Sequence, residues 1–143
     1  MAASKEKAAT SLGATHFVAT GTEGALDPWQ GKFNLIVDTV SAPHPMDPLA
    51  GLLASFGTLV LVGLPPLGAP VDVSALVHGN RSVAGSNIGG IPETQEMLDY
   101  CGRKAVEADV EVIRADQVNT AYKRMLAGDV RYRFVIDAAT LVG

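Results

Sequence analysis

The sequence predicts an α/β protein built on a parallel sheet. Two continuous, β-rich apolar runs, "FNLIVDTV" and "TLVLVG", have the composition of strands buried between helices, and a helical stretch separates them. Glycines stand at the corners, and strand-like and helix-like patterns go on alternating to the end of the chain. Strand, helix and strand in that order form a unit whose strands run parallel through a right-handed crossover.

Taken in order, the first element is a helix over about Ser4 to Leu12. Ser4 is the expected N-cap, and Gly13 is the stop where a left-handed residue is cheap. His16 to Ala19 reads as a short strand. "TGTEGALDPWQGK" is a polar connection with Asp-Pro, a lone Trp29 and at most a short helix. "FNLIVDTV" follows as a strand expected to be covered on both faces. "SAPHPMDPLAGLLASFG" confines its prolines to the early part, then reads as an apolar helix that Gly57 ends. "TLVLVG" is the next strand.

"LPPLGAPVDVSALVHGN" is a loop with a short helix at Ser74 to His78, and Arg81 to Gly85 is a third β run. "PETQEMLDYCGRK", from Pro92 to Lys104, has proline in its first turn, acidic residues beside it and basic residues at its end, as the helix dipole favours. A strand "VEVI", a helix from Asp116 to Gly128 and a strand around "RFVID" complete the pattern.

Composition narrows the function classes. The 143 residues suffice for one sizeable core. With 11 basic residues interspersed among 15 acidic ones and a net charge of -4, no basic stripe exists to neutralise a nucleic acid. The single cysteine, Cys101, makes neither an internal disulfide nor a Cys-rich zinc site, which favours a reducing, cytoplasmic setting. The amino end, "MAASKEKAATSLGA", lacks the apolar block of a targeting signal, and no stretch reaches the roughly 18 apolar residues of a membrane span. No membrane association is expected.

Open parallel sheets bind ligands at the carboxyl ends of their strands. Here that rim is Asp38-Thr39, Gly63-Leu64-Pro65 and Ser86-Asn87-Ile88, although glycines at such corners also serve simply to turn the chain. His16, His44 and His78 lack metal-ligand spacing and read as surface or loop histidines. Cys101 sits in an amphipathic helix as a small apolar residue. Arg131 and Arg133 alternate on the last strand, either solvated or holding a phosphate through paired hydrogen bonds. None of these residues is assigned a catalytic role.

Together, "LGATHFV", "FNLIVDTVSAPHP", "GTLVLVGLP", "SVAGSNIGGIPETQEMLDYC", "EADVEVI" and "VNTAYKRMLAGDVRYRFVID" resemble the carboxyl-terminal portion of a zinc-dependent medium-chain alcohol dehydrogenase. The branch is similar to cinnamyl alcohol dehydrogenases, which use NADP(H) to interconvert aldehydes and primary alcohols. The resemblance implies a partial Rossmann-like parallel sheet with flanking helices over residues 1–88. Residues 89–143 would then be a carboxyl-terminal piece of the family's catalytic domain.

The family's zinc ligands and its glycine-rich pyrophosphate turn have no counterpart among these residues, so zinc is not expected in this chain. Carried over position by position, Ser4 and Lys5 match residues that bind the adenosine 2′-phosphate, and Thr39 closes a strand beside the cofactor. Gly63 and Leu64 match the turn against the nicotinamide. Ser86, Asn87 and Ile88 match the segment that meets its carboxamide, and Arg133 matches an arginine reaching the pyrophosphate. NADP(H) binding is thus implied, and expected to be weak.

The family's pairing of strands across a two-fold axis implies a homodimer through the Arg81–Ser86 edge. Two readings of function stay open. One is a fragment or short paralogue of an alcohol dehydrogenase, inactive alone; the other is a non-enzymatic nucleotide-binding or dimerisation module. The substrate is not legible, because the pocket that selects it belongs mostly to the region these residues do not include.

Overall fold

The computed structural model describes residues 5–64 and 71–141, and the chain divides into two compact units, Met1–Ile88 and Gly89–Gly143. The first unit holds a three-stranded sheet in the order β1 (Phe33–Asp38), β2 (Leu53–Leu61), β3 (Ser82–Gly85), all parallel. Helix α1 (Glu6–Ser11) precedes the sheet, α2 (Asp47–Leu52) connects β1 to β2, and α3 (Val73–Gly79) connects β2 to β3. The sheet is the expected α/β core.

Register assigns the faces. Ile36, Leu59 and Val83 are paired neighbours across the three strands, and so share one side. On that side Met46, Leu53 and Leu59 form the buried core, with Ile36, Leu49, Leu61, Val71 and Val83 packed against it. Leu53 and Leu59 are wholly buried, each contributing about 1.5–3 kcal/mol by the apolar area removed from water.

The opposite side is open among the described residues: Leu35 and Val37 are 59% and 55% exposed. The expectation that β1 is covered on both faces is therefore corrected. Two crossovers of the same hand, advancing in one direction across the strands, place both connecting helices on one face and leave the other bare.

Three local expectations also change. His16 to Ala19 is not a strand, because no neighbouring strand supplies a ladder. His16 instead leans on Trp29 at 5.2 Å between ring centroids, and Trp29 stacks on Phe33 at 5.6 Å, which ties this connection to the start of β1. Trp29 ends a short 3-10 turn, Asp27–Trp29, the one piece of helix in that loop.

The helix before β2 ends at Leu52 rather than at Gly57. Phe33 pairs with Leu53 but Leu35 pairs with Thr58, so β2 carries extra residues that bulge out of register. Gly57 sits where a β-carbon would come within 2.8 Å of the Phe33 carbonyl oxygen, and the preceding Phe56 takes a left-handed φ of 63°.

The N-cap position of α1 is occupied by Lys5, without a side-chain cap; Ser4 lies outside the described residues. The other end of α1 closes as expected. Gly13 adopts φ 97°, and the Ala14 N–H returns to the Ala9 carbonyl at 3.0 Å.

In the second unit, α4 (Ile91–Lys104) begins where the Gly90 N–H donates to Glu93 Oε2 at 2.6 Å, and ends in Arg103 and Lys104. Strands β4 (Glu111–Ile113) and β5 (Phe134–Ile136) pair in parallel, with α5 (Val118–Leu126) as the crossover. Arg124 on α5 binds Glu111 at 2.9 Å and Asp129 at 2.9 Å, and its guanidinium lies 4.9 Å over the Phe134 ring. Arg131 and Arg133 precede β5 rather than alternating along it, because the ladder begins at Phe134. No helix among the described residues is long and apolar enough to cross a membrane.

Candidate functional site: the carboxyl rim of the sheet

Parallel strands end side by side, and the turns leaving them make a rim. At the end of β1 the Asp38 carbonyl accepts from the N–H groups of Val62 and Gly63 at 2.8 and 3.0 Å, which joins the first corner to the second. The N–H of Ser86 donates to the Leu61 carbonyl at 2.9 Å, which joins the third corner to the second. Leu64 N–H donates to Ser41 Oγ at 3.1 Å. All three turns are thereby knitted by main-chain donors.

Gly63 is the tightest point. A β-carbon there would overlap the Val40 carbonyl and stand 2.8 Å from the Thr39 carbonyl carbon, against backbone rather than the yielding end of a side chain. Only glycine fits. Leu64, next in the chain, is 87% exposed, and Ile88, beyond the third corner, is 89% exposed.

Beneath the rim lies an aspartate–histidine pair. Asp38 is buried, its Oδ1 accepts from the Val40 N–H at 2.9 Å, and its Oδ2 is 2.8 Å from His44 Nε2. His44 Nδ1 stands 2.8 Å from the Ala42 carbonyl. The Ala42 carbonyl and then the Asp38 carboxylate hold the imidazole above its ordinary 6.5. His44 is thus no free surface histidine. The sequence signal was a histidine six positions after an aspartate that ends a buried strand, a spacing that reaches back only if the intervening turn is tight.

The residues singled out from sequence fall into groups. Thr39, Gly63 and Leu64 come together at the first two corners, and Ser86 is one hydrogen bond away, with Asn87 and Ile88 following it. Lys5 is exposed at the head of α1; among the described residues no hydrogen bond joins it to the rim. Ser4 lies outside the described residues. Arg133 belongs to the second unit, where it lines an apolar cavity of about 300 Å³ with Tyr122, Met125, Tyr132 and Phe134. Cys101 lies on α4 with its thiol 3.7 Å from the Met97 sulfur.

The rim thus presents a floor of main chain without a side chain at Gly63, exposed apolar residues at Leu64 and Ile88, and a buried aspartate held by His44. No group of three or more His, Cys, Asp or Glu side chains among the described residues is placed to hold a metal ion.

Comparison with known proteins gives concordant results. The family described as zinc-binding dehydrogenase matches residues 1–103. Aldehyde reductase YahK of Escherichia coli (strain K12) is 50% identical over 139 residues, 96% of this chain and 40% of the relative. Among solved structures, the cinnamyl alcohol dehydrogenase SbCAD4 of Sorghum bicolor superposes with a TM-score of 0.87 at 39% identity, over 96% of this chain and 39% of that one. CAD from Helicobacter pylori complexed with NADP(H) superposes with a TM-score of 0.76 at 32% identity, over 94% of this chain and 38% of that one. The chain spans about 40% of the length of the relatives it matches.

Proposed function

The chain belongs to the zinc-binding dehydrogenase family, and from that premise we propose that it furnishes the nicotinamide side of an NADP(H) crevice in an alcohol dehydrogenase interconverting aldehydes and primary alcohols. The observation that carries the reading is the approach of Gly63 to Thr39 and Val40, which leaves a main-chain floor at the rim where open parallel sheets bind nucleotides. A bound nicotinamide would supply the hydride. The chain's own residues would orient it: the Gly63-Leu64 turn against the ring, the Ser86 to Ile88 segment at its carboxamide, Thr39 beside it, and Lys5 as a cation for the adenosine phosphate.

Binding by these 143 residues is expected to be weak, and dehydrogenase turnover by them alone negligible, since they span about 40% of their relatives' length. The reading is tested by titrating NADPH, NADH and buffer while following nicotinamide fluorescence and the melting temperature. Preferential stabilisation by NADPH supports it. No response to either nucleotide at millimolar concentration overturns it and leaves a non-enzymatic module. Zinc-dependent turnover of an aromatic aldehyde by the purified chain would overturn the expected inactivity.

A homodimer through the Arg81–Ser86 edge is part of the same proposal. It is favoured by β3, which pairs only with β2 among the described residues, and an unpaired strand edge recruits partners. A monomeric mass by light scattering at micromolar concentration would count against it. The cytoplasmic setting rests on the single, unpaired Cys101.

A further inference from the structure

His44 touches two acceptors. Its Nδ1 faces the Ala42 carbonyl and its Nε2 faces the Asp38 carboxylate, each at 2.8 Å. A carbonyl oxygen has no proton to give, and neither has an ionised carboxylate, so both contacts are hydrogen bonds only when the ring carries both protons. A neutral imidazole must abandon one of them. The other oxygen of Asp38 holds the Val40 N–H, and the main chain of Asp38 holds Val62 and Gly63. The protonation of one ring therefore reaches the two turns that form the floor of the rim.

We propose that Asp38 and His44 are positioning residues for the rim, the imidazolium neutralising the buried carboxylate and fixing the Thr39–Val40 turn against Gly63, so that loss of the His44 proton weakens binding of an anionic dinucleotide. The inference rests on the cofactor reading above and adds the group that controls it. When the ring is neutral, Asp38 keeps its negative charge at a rim meant for a polyanion, and one of the two bonds that anchor the turn is gone. Both effects act in the same direction.

The surroundings leave Asp38 as the charged partner. Among the described residues no lysine or arginine is paired with Asp38. Asp47, at the head of α2, is turned toward the segment before α3, where its Oδ1 accepts from the Asp72 N–H at 2.7 Å. Asp72 is itself occupied by Ser74. His78 on α3 turns its Nδ1 to the Ser74 carbonyl. The His44 side chain retains 20% exposure, enough for its proton to exchange with solvent.

The test uses the full chain, His44→Gln and His44→Leu. Glutamine keeps a donor for Asp38 but cannot titrate; leucine removes the donor. NADPH affinity is measured by nicotinamide fluorescence across the pH range through which an imidazole titrates, alongside amide and imidazole NMR. Because the cofactor's own 2′-phosphate titrates at about pH 6, the informative quantity is the difference between wild type and His44→Gln.

Expected is a weakening of wild-type affinity by roughly threefold to fivefold as His44 deprotonates, the size one uncompensated charge has at a solvent-open rim. That component should be absent in His44→Gln, which should bind better than His44→Leu at every pH. The Val40, Gly63 and Leu64 amide signals should titrate with the midpoint of the imidazole. Identical pH profiles for wild type and His44→Gln, or rim amides that ignore the imidazole, overturn the proposal. If the wild type binds no NADPH at any pH the cofactor reading fails separately, and the amide titration still decides whether the pair positions the rim.

Discussion

Gly63 meets the backbone of Val40 so closely that no side chain fits between them. A β-carbon would overlap the Val40 carbonyl, and the Thr39 carbonyl carbon lies 2.8 Å away on the same side. Gly63→Ala must push apart two turns that also share the hydrogen bonds from Val62 and Gly63 to Asp38. A loss of about 1–3 kcal/mol is expected, the usual cost of forcing an extra carbon into packed structure. Gly85 is the control, since a β-carbon there meets nothing within 4 Å, and Gly85→Ala should change stability by less than about 0.5 kcal/mol. Urea denaturation of both variants checks the contrast.

The Asp38–His44 pair makes stability depend on pH with a definite sign. The Ala42 carbonyl and the Asp38 carboxylate raise the folded-state value of His44 above 6.5, so the folded protein holds this proton more tightly than the unfolded chain does. The contribution is fully present below about pH 6.5. It is lost as pH rises through the raised value. Melting temperature against pH, wild type minus His44→Gln, should therefore fall as pH rises above about 6.5; a flat difference would contradict the assignment.

Phe56 is 78% exposed and takes φ 63°, a left-handed conformation that a bulky side chain adopts at a cost and asparagine accepts readily. Little packing is forfeited by replacing it. Phe56→Asn should raise stability by about 1 kcal/mol, seen as a higher urea midpoint at unchanged slope. A lower midpoint would mean that the ring is held by contacts in the folded protein.

Asp72 caps α3 through the Ser74 N–H and hydroxyl, each at 2.8 Å. These bonds, the hydroxyl's first, lower its carboxyl value below 3.8, so its contribution is present above about pH 3.8 and lost as pH falls through the lowered value. Asp72→Ala should lower the melting temperature at neutral pH by several degrees, whereas Asp72→Asn, still an acceptor, should retain most of it. The gap between wild type and Asp72→Ala should close in acid.

In the second unit Arg124 joins Glu111, Asp129 and the Phe134 ring at once. The Arg131 N–H and then the Arg124 guanidinium hold the Glu111 carboxyl below its usual range. Arg124→Lys keeps the charge but cannot supply both ends of a planar fork. Amide exchange in β4 and β5 should quicken in Arg124→Lys, and more so in Arg124→Ala, with the wild-type advantage shrinking as salt is added. Exchange confined to wild-type rates in both variants would show the network to be idle.

Much of the fold is determined by short-range pattern. "FNLIVDTV" and "TLVLVG" can hardly be anything but strands, and Pro92 with the acidic start and basic end of "PETQEMLDYCGRK" defines α4 from either side. Resemblance in the ordered motifs led to the family that residues 1–103 match. Where sequence reading erred, the missing information was a neighbour. His16 to Ala19 has a strand's composition but no ladder partner, and the end of α2 is set by Leu53 pairing with Phe33 rather than by Gly57.

The same division runs through the rim. The sequence by itself determined that Thr39, Gly63 and Ser86 stand at strand ends, because each follows an apolar run and parallel strands end together. Only the tertiary structure decided that Gly63 must lack a side chain, that Leu35 and Val37 face outward, and that His44 returns to Asp38. Periodicity records which residues share a face of one element. Distances between corners depend on how three elements pack, and a histidine in a loop has the same sequence signature whether it faces water or a buried carboxylate.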